Sequence, residues 1–201
     1  MALNPDSYIS FIFALSIILI FIFVGIIQVY WLRSELFKKY RWPLDCGLKF
    51  RSRRIWGENK TVGGILILWP LTFISLILGL LLLNLINFSP VLNTNNSVIL
   101  ITDYLLIGFV ISSGYICGEL INSFIKRQLG IPAGQLIKNR NLQTFQIIFD
   151  QVDSVIFSLI SFSMIVKINL TFTLIIITIG PLVHMLFNVL LHKIGLKAEA
   201  R

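Results

Sequence analysis

Five stretches of this chain are long and apolar enough to cross a bilayer, and nothing else constrains its fold as strongly. A helical span needs roughly 20 mostly apolar residues to cover about 30 Å of hydrocarbon. Residues 8–32, 62–86, 98–124, 147–166 and 169–191 qualify, the fourth only if it begins near Ile147 rather than at Ser154. The expectation is an all-α integral membrane protein, a single polytopic domain over residues 1–201 with five transmembrane helices. Composition agrees: 56% of the 201 residues are hydrophobic and 13% charged, against about 25% charged in an average soluble domain. An ordinary globular domain, a disordered chain and a secreted disulfide scaffold are excluded. The first run outlasts a signal-peptide core and its leader, Met1 to Ser7, carries no Lys or Arg, so it is expected to be a retained anchor.

The basic residues set the orientation. The segment between the first two spans (about 33–61) holds nine of them, Arg33, Lys38, Lys39, Arg41, Lys49, Arg51, Arg53, Arg54 and Lys60. Residues 87–97 hold none; the third loop (about 125–146) holds Lys126, Arg127, Lys138 and Arg140. The last turn has Lys167 alone, and the tail has Lys193, Lys197 and Arg201. Sixteen of the 17 Lys and Arg therefore fall on one side. The N-terminus is expected outside, with the two larger loops cytoplasmic and the protein in the cell (inner) membrane. A net charge of +8 confined to short inter-span segments points to an anionic membrane face or a phosphorylated ligand, not to nucleic acid. Cys46 and Cys117 share neither spacing nor depth and receive no role.

Ionisable groups at the edge of a span are functional candidates because they are expensive there. Of nine acids, Glu119, Asp150 and Asp153 fall at one depth on the cytoplasmic side. Glu119 lies roughly 12 Å past the centre of the third span at 1.5 Å per residue; Asp150 and Asp153, spaced i, i+3, are expected to open the fourth. Three such carboxylates resemble a magnesium site, since Mg²⁺ takes one or two carboxylates plus phosphates and waters. Ser123 and Lys126 follow Glu119 at i+4 and i+7 with Arg127 beside them, a stripe of acid, hydroxyl and cation suited to a triphosphate. A plainer account also exists: acids suit a helix start, and Lys-Arg ordinarily marks a cytoplasmic span end.

The first loop is broken by Pro43, Gly47, Gly57, Gly63 and Gly64, so it is not one amphipathic helix. Arg51, Arg53 and Arg54 could simply hold anionic lipid, whereas Asn59, Lys60 and Thr61, directly before the second span, suit phosphate contact. The P-loop spacing is absent. His184 and Asn188 share one face of the last span, as a lining or an interhelical hydrogen bond, and Gly114 and Gly118 mark close helix packing.

Five segments in order carry a resemblance: PLDCG (43–47), RIWGENKT (54–61), GELINSFIKRQLGIPAG (118–134), FDQVD (149–153) and HMLFNVLLHKIGLK (184–197). The chain resembles the CDP-archaeol synthase family of five-span cytidylyltransferases, distantly similar to the CDP-diacylglycerol synthases. The resemblance implies that CTP and a membrane lipid phosphate, archaetidic acid-like or phosphatidate, give a CDP-lipid and pyrophosphate. It implies one or two Mg²⁺ on Asp150, Asp153 and Glu119, with Asp150, Asp153 and Lys126 catalytic. Asp45, Asn59, Lys60, Thr61, Ser123 and Arg127 would bind substrate. Two positions depart from the family's pattern: Val62-Gly63 stand where Trp-Arg commonly follows Lys-Thr, and Glu119 stands for Asp. The competing class is a non-catalytic scaffold for anionic lipid or a small carrier. A carrier should place its charges near the midplane or show repeats, and the acids here cluster at one face instead.

Overall fold

The structure, a computed structural model, describes residues 5–85, 101–137 and 139–195. The expected outer loop 87–97, the span ends at 86 and 98–100, Lys138 and the tail residues Lys197 and Arg201 lie outside the described residues.

Long apolar runs must satisfy their backbone polar groups internally in lipid, which makes them helices. They form α1 (Pro5–Arg33), α4 (Leu68–Leu85), α5 (Ile101–Gln128), α6 (Arg140–Ser163) and α7 (Leu170–Lys193), with short α2 (Glu35–Lys39) and α3 (Val62–Leu66). By length and composition, Leu105–Gln128, Arg140–Ser163 and Leu170–Lys193 can each cross a membrane. Shorter apolar stretches lie at Ile17–Arg33 and Val62–Leu78. Leu174, Leu182 and Leu186 of α7 and Ile148 and Ile160 of α6 are exposed, an outward apolar surface that lipid must cover. This is a helical integral membrane protein.

Local chemistry marks the helix boundaries. Ser34 separates α1 from α2: its hydroxyl accepts from Phe37 N–H at 3.1 Å and donates to the Trp31 carbonyl. Thr61, Asn139 and Asn169 cap α3, α6 and α7 with side-chain oxygens on the free first-turn N–H groups. At the end of α5, Gly130 takes φ +80°. Its N–H bonds Arg127 O and that of Ile131 bonds Lys126 O, a Schellman stop that Pro132 makes final.

Three expected boundaries move. The second span is not one helix: Pro70 lacks an N–H and its ring crowds the Leu66 carbonyl, so the run divides at Ile67 into α3 and α4. The fourth helix starts at Arg140, not near Ile147, because the polar turn Arg140–Gln146 is helical without being apolar. Asp150 and Asp153 therefore lie well inside α6 rather than at its start, and the helix-start explanation for them falls. The third loop shrinks correspondingly to residues 129–139.

The five long helices close in a ring, α1 on α4, α4 on α5, α5 on α6, α6 on α7 and α7 back on α1. Without a hydrophobic drive between apolar helices, small residues permit the close approach. A Cβ on Gly114 would sit 2.6 Å from Phe157 O, and one on Gly118 2.7 Å from Asp153 O. Gly108 similarly admits Leu76 and Phe73 of α4, and Gly180 admits Val155. The α5–α6 seam is thus backbone against side chainless backbone at the height of Asp153.

Residues 41–61 form a compact loop rather than a helix. Lys49–Phe50 and Arg53–Arg54 make a two-stranded hairpin (β1 and β2), register Lys49↔Arg54. Arg51 and Ser52 both take positive φ, the mirror-image turn that matches strand twist. Arg53 donates to Gln128 O and Gln128 Nε2 to Arg54 O, which fastens the hairpin to the end of α5.

Candidate active site

The loop 41–61 is organised around one buried side chain. Asp45 is 1% exposed. Its carboxylate accepts from Gly47 N–H at 3.1 Å, Trp56 N–H at 3.2 Å and Gly57 N–H at 2.9 Å. The Arg54 guanidinium completes the set, with Nε and Nη2 on the two oxygens. Burial alone would raise this carboxyl's pKa, but Arg54 and the three N–H groups hold it well below the usual carboxylate range. The same pairing raises Arg54 further. Asp45 lies behind the cavity wall, not on it.

The staple has a purpose in space. Leu44 N–H bonds Lys60 O at 2.8 Å and Val62 N–H bonds Trp42 O, while Pro43 pairs with Thr61. The segment Asn59–Thr61 is thereby held as one rail against the first half of the loop. Asn59 is exposed at the cavity mouth, beside Gly134 of the opposing loop. Thr61 is buried, with Oγ1 committed to Gly64 N–H. Gly63 explains one departure from the family pattern: a Cβ there would lie 2.8 Å from Tyr40 Cβ. A larger residue would dislodge the α1–α2 corner.

Lys60 extends inward to α5, its Nζ 2.5 Å from Glu119 Oε2. Two turns on, Lys126 Nζ lies 2.7 Å from Asp150 Oδ1 across the α5–α6 seam. Asn122 Nδ2 donates to Asp150 Oδ1 at 2.8 Å and also to Asp153 Oδ2. Ser123 is buried on the same wall. Arg127 donates to the Ile131 and Trp56 carbonyls and so ties the two loops together. Gly57, at φ +90°, lets the guanidinium pass: a Cβ there would meet Arg127 Nε at 3.0 Å.

These groups share a cavity of about 910 Å³, at the upper end of ordinary ligand pockets. Lys60, Glu119, Asn122, Ser123, Lys126, Arg127, Asp150 and Asp153 line one part, with Arg41, Glu58 and Asn59 towards its mouth. Ile18, Val24, Leu68, Ile176 and Phe187 line it between the helices, with Thr72, Ser112, Ser158 and Asn188 among them. One chamber therefore joins a cluster of charges to a largely apolar helix lining.

Of the residues singled out in the sequence, Asn59, Lys60, Thr61, Glu119, Ser123, Lys126, Arg127, Asp150 and Asp153 come together on this chamber; Asp45 does not. The three acids do not form one cluster. Glu119 turns to Lys60, and among the described residues no three Asp, Glu, His or Cys side chains converge on a common point. Asp150 and Asp153 do converge, since one amide nitrogen serves both. Asn122 escaped sequence reasoning, although its place at i+3 from Glu119 and i−4 from Lys126 puts it on the same stripe. Further in, Asn188 Nδ2 donates to Gln151 Oε1 at 3.1 Å. His184 meets Tyr115 Oη at 3.4 Å, so α7 is joined to α5 and α6 by polar contacts beneath the acids.

A family model described as CDP-archaeol synthase, CarS-like, matches residues 15–200. A CDP-archaeol synthase of Pyrobaculum islandicum is 31% identical over 162 residues, covering 80% of this chain and 83% of its own. One of Methanocaldococcus jannaschii is 30% identical over 158 residues, 77% of this chain and 81% of its own. With one of Methanococcus vannielii the match is 32% over 114 residues, 56% of each chain. A solved structure described as an intramembrane enzyme for archaeal membrane lipids biosynthesis superposes with TM-score 0.54 at 20% identity, covering 83% of this chain and 91% of that one. That last likeness speaks for the fold.

Proposed function

The chain belongs to the CDP-archaeol synthase family, and from that premise we propose that it transfers the cytidylyl group of CTP to a membrane lipid phosphate, releasing pyrophosphate. The observation that carries the reading is one chamber that holds Lys60, Lys126 and the Asp150–Asp153 pair together with largely apolar helix faces. A lipid phosphate has the same division. Its headgroup reaches the charges while its chains stay among the helices.

In the reaction, an oxygen of the lipid phosphomonoester attacks the α-phosphorus of CTP in line, and pyrophosphate departs. Such transfer depends chiefly on positioning and on neutralising charge. Lys60 and Lys126 supply mobile cationic donors to the phosphates, and Asn59 stands where the nucleotide enters. Arg127, bound to two carbonyls, keeps the opposing loops at a fixed separation, and Asp45 fixes the rail that aims Lys60. No covalent nucleophile is required.

The acids fit Mg²⁺ by their donor set: two carboxylate oxygens converge on one position, and the ion habitually completes its shell with phosphates and water. Asp150 and Asp153 would hold it, with Glu119 adjoining through Lys60. Bound there, Mg²⁺ would neutralise phosphate charge and polarise the phosphoryl oxygens. The K/R distribution supports a multi-pass protein of the cell membrane with this end in the cytoplasm, where CTP is found.

The test is CTP turnover by purified protein with Mg²⁺, offering unsaturated archaetidic acid and phosphatidate separately. Pyrophosphate release with one acceptor, abolished by EDTA, supports the reading and selects the lipid. Folded protein that neither binds CTP nor releases pyrophosphate with either acceptor would sink it.

A further inference from the structure

The side-chain donors to both carboxylates at the seam come from one helix, α5, while Asp153 Oδ1 also accepts from the Ser154 N–H of α6. Asn122 and Lys126 are i, i+4 on α5, and both donate to Asp150 Oδ1, at 2.8 and 2.7 Å. The Asn122 amide also reaches Asp153 Oδ2. Asp153 is 4% exposed and Asn122 6%. Two carboxylates this close and this enclosed repel each other, and leaving a buried charge uncompensated is strongly unfavourable. One full positive charge, one amide dipole and the Ser154 N–H meet that need here.

We propose, on the footing of the cytidylyl-transfer reading, that Asn122 and Lys126 are internal stand-ins for the divalent cation. They neutralise the aspartates while the chamber is empty and release them together when nucleotide and cation arrive. Lys126 then exchanges carboxylate for phosphate oxygen. Asn122 is a positioning residue whose amide, once turned about its terminal bond, presents Oδ1 to the cation in place of Nδ2. Both the amide and the ammonium need only side-chain rotation, because α5 and α6 are locked backbone to backbone at Gly118.

The exchange couples the two ligands. A cation arriving alone must evict Lys126 and leave the ammonium without a partner. A triphosphate arriving alone must draw Lys126 away and leave the aspartates facing each other. When both arrive, every charge is re-paired. Coupling of this kind is reciprocal and commonly amounts to about 5–150-fold in affinity.

The signature is a pair of opposite effects from one substitution. With the full chain in zwitterionic nanodiscs, Mn²⁺ alone serves as probe, read by electron paramagnetic resonance. Lys126→Gln should bind Mn²⁺ about tenfold more tightly than wild type, while its affinity for CTP in the presence of Mg²⁺ falls by about tenfold. Asp150→Asn, which frees Lys126, should raise CTP affinity in EDTA several-fold. Asn122→Leu should weaken Mn²⁺ binding in both wild-type and Lys126→Gln backgrounds. If Lys126→Gln binds Mn²⁺ no more tightly, or both affinities fall together, the stand-in role is overturned. Unchanged Mn²⁺ binding in Asn122→Leu overturns the amide's part. Tighter Mn²⁺ binding in a protein that never turns over CTP would uphold the stand-ins and fail the cytidylyl-transfer reading instead.

Discussion

Asp45 and Asp150 are both aspartates paired with a cation, yet they occupy opposite kinds of site. Asp45 is sealed within its loop, its two oxygens shared among three backbone N–H groups and a guanidinium that is itself tied to Glu58. Asp150 faces the chamber and meets one ammonium and one amide, both on side chains rather than on backbone. A carboxylate saturated by backbone donors cannot accept anything new without dismantling its loop. A carboxylate held only by side chains can. The contrast separates the two carboxylates by whether their donors sit on backbone or on side chains, not by the presence of an ion pair.

The sharpest way to break that comparison is to neutralise each acid in turn. Asp153→Asn and Asp150→Asn should each reduce CTP turnover by at least about a hundredfold, the scale seen when a charge-stabilising group is lost from an active site. Thermal stability should change little. A lipid-binding scaffold would show no catalytic signal to lose, and turnover within about twofold of wild type would remove both residues from the mechanism.

Next in size is the seam. Gly118→Val would drive a side chain into the Asp153 backbone, 2.7 Å from where its Cβ begins. Overpacking of this sort costs about 1–3 kcal/mol, and it should also separate Asn122 from Asp153. Nucleotide affinity and turnover should fall beyond what the lower melting temperature explains. Gly114→Ala, a turn deeper, should lower stability but spare CTP affinity; equal losses at both positions would argue against a special role for the seam at Asp153.

Removing the staple tests the other arm. Asp45→Ala leaves Arg54 and three N–H groups without their acceptor. Arg54 keeps its Glu58 contact and is a quarter exposed, so a loss of about 2 kcal/mol is expected rather than the full cost of an orphaned buried charge. Hydrogen exchange should quicken across residues 44–61, and KM for CTP should rise more than kcat falls. If kcat collapses while exchange is unchanged, Asp45 contacts substrate after all.

The smallest expected effect is in pH. The Asp45 carboxyl is held below its unfolded value of about 3.9. Its stabilisation is therefore complete above that value and is lost as pH falls through the depressed folded one. The gap in melting temperature between wild type and Asp45→Asn should be constant near neutrality and narrow below about pH 4. A gap that widens on acidification would contradict the sign.

Much of this was legible in the chain, because the relevant signals are local. Apolar length implies helices, and neighbouring residues alone suffice to read it. Nine of the ten residues marked as site candidates line one chamber. The misplaced start of α6 has a plain cause: hydropathy reports where lipid is needed, whereas a helix can run on through Arg140–Gln146 by capping and propensity alone. The division at Pro70 was also available locally, but an unbroken apolar run masked it.

By itself, then, the sequence determined that the chain is a helical membrane protein, where most helices end, and which residues could carry phosphate chemistry. The roles were decided by tertiary structure. Lys60 and Glu119 meet across 59 positions of chain, and Asn122 joins two aspartates about thirty residues away. Asp45 sits behind the cavity wall because the loop folded over it. Whether a charge is satisfied depends on donors brought by other elements, and no spacing along one strand of sequence encodes that.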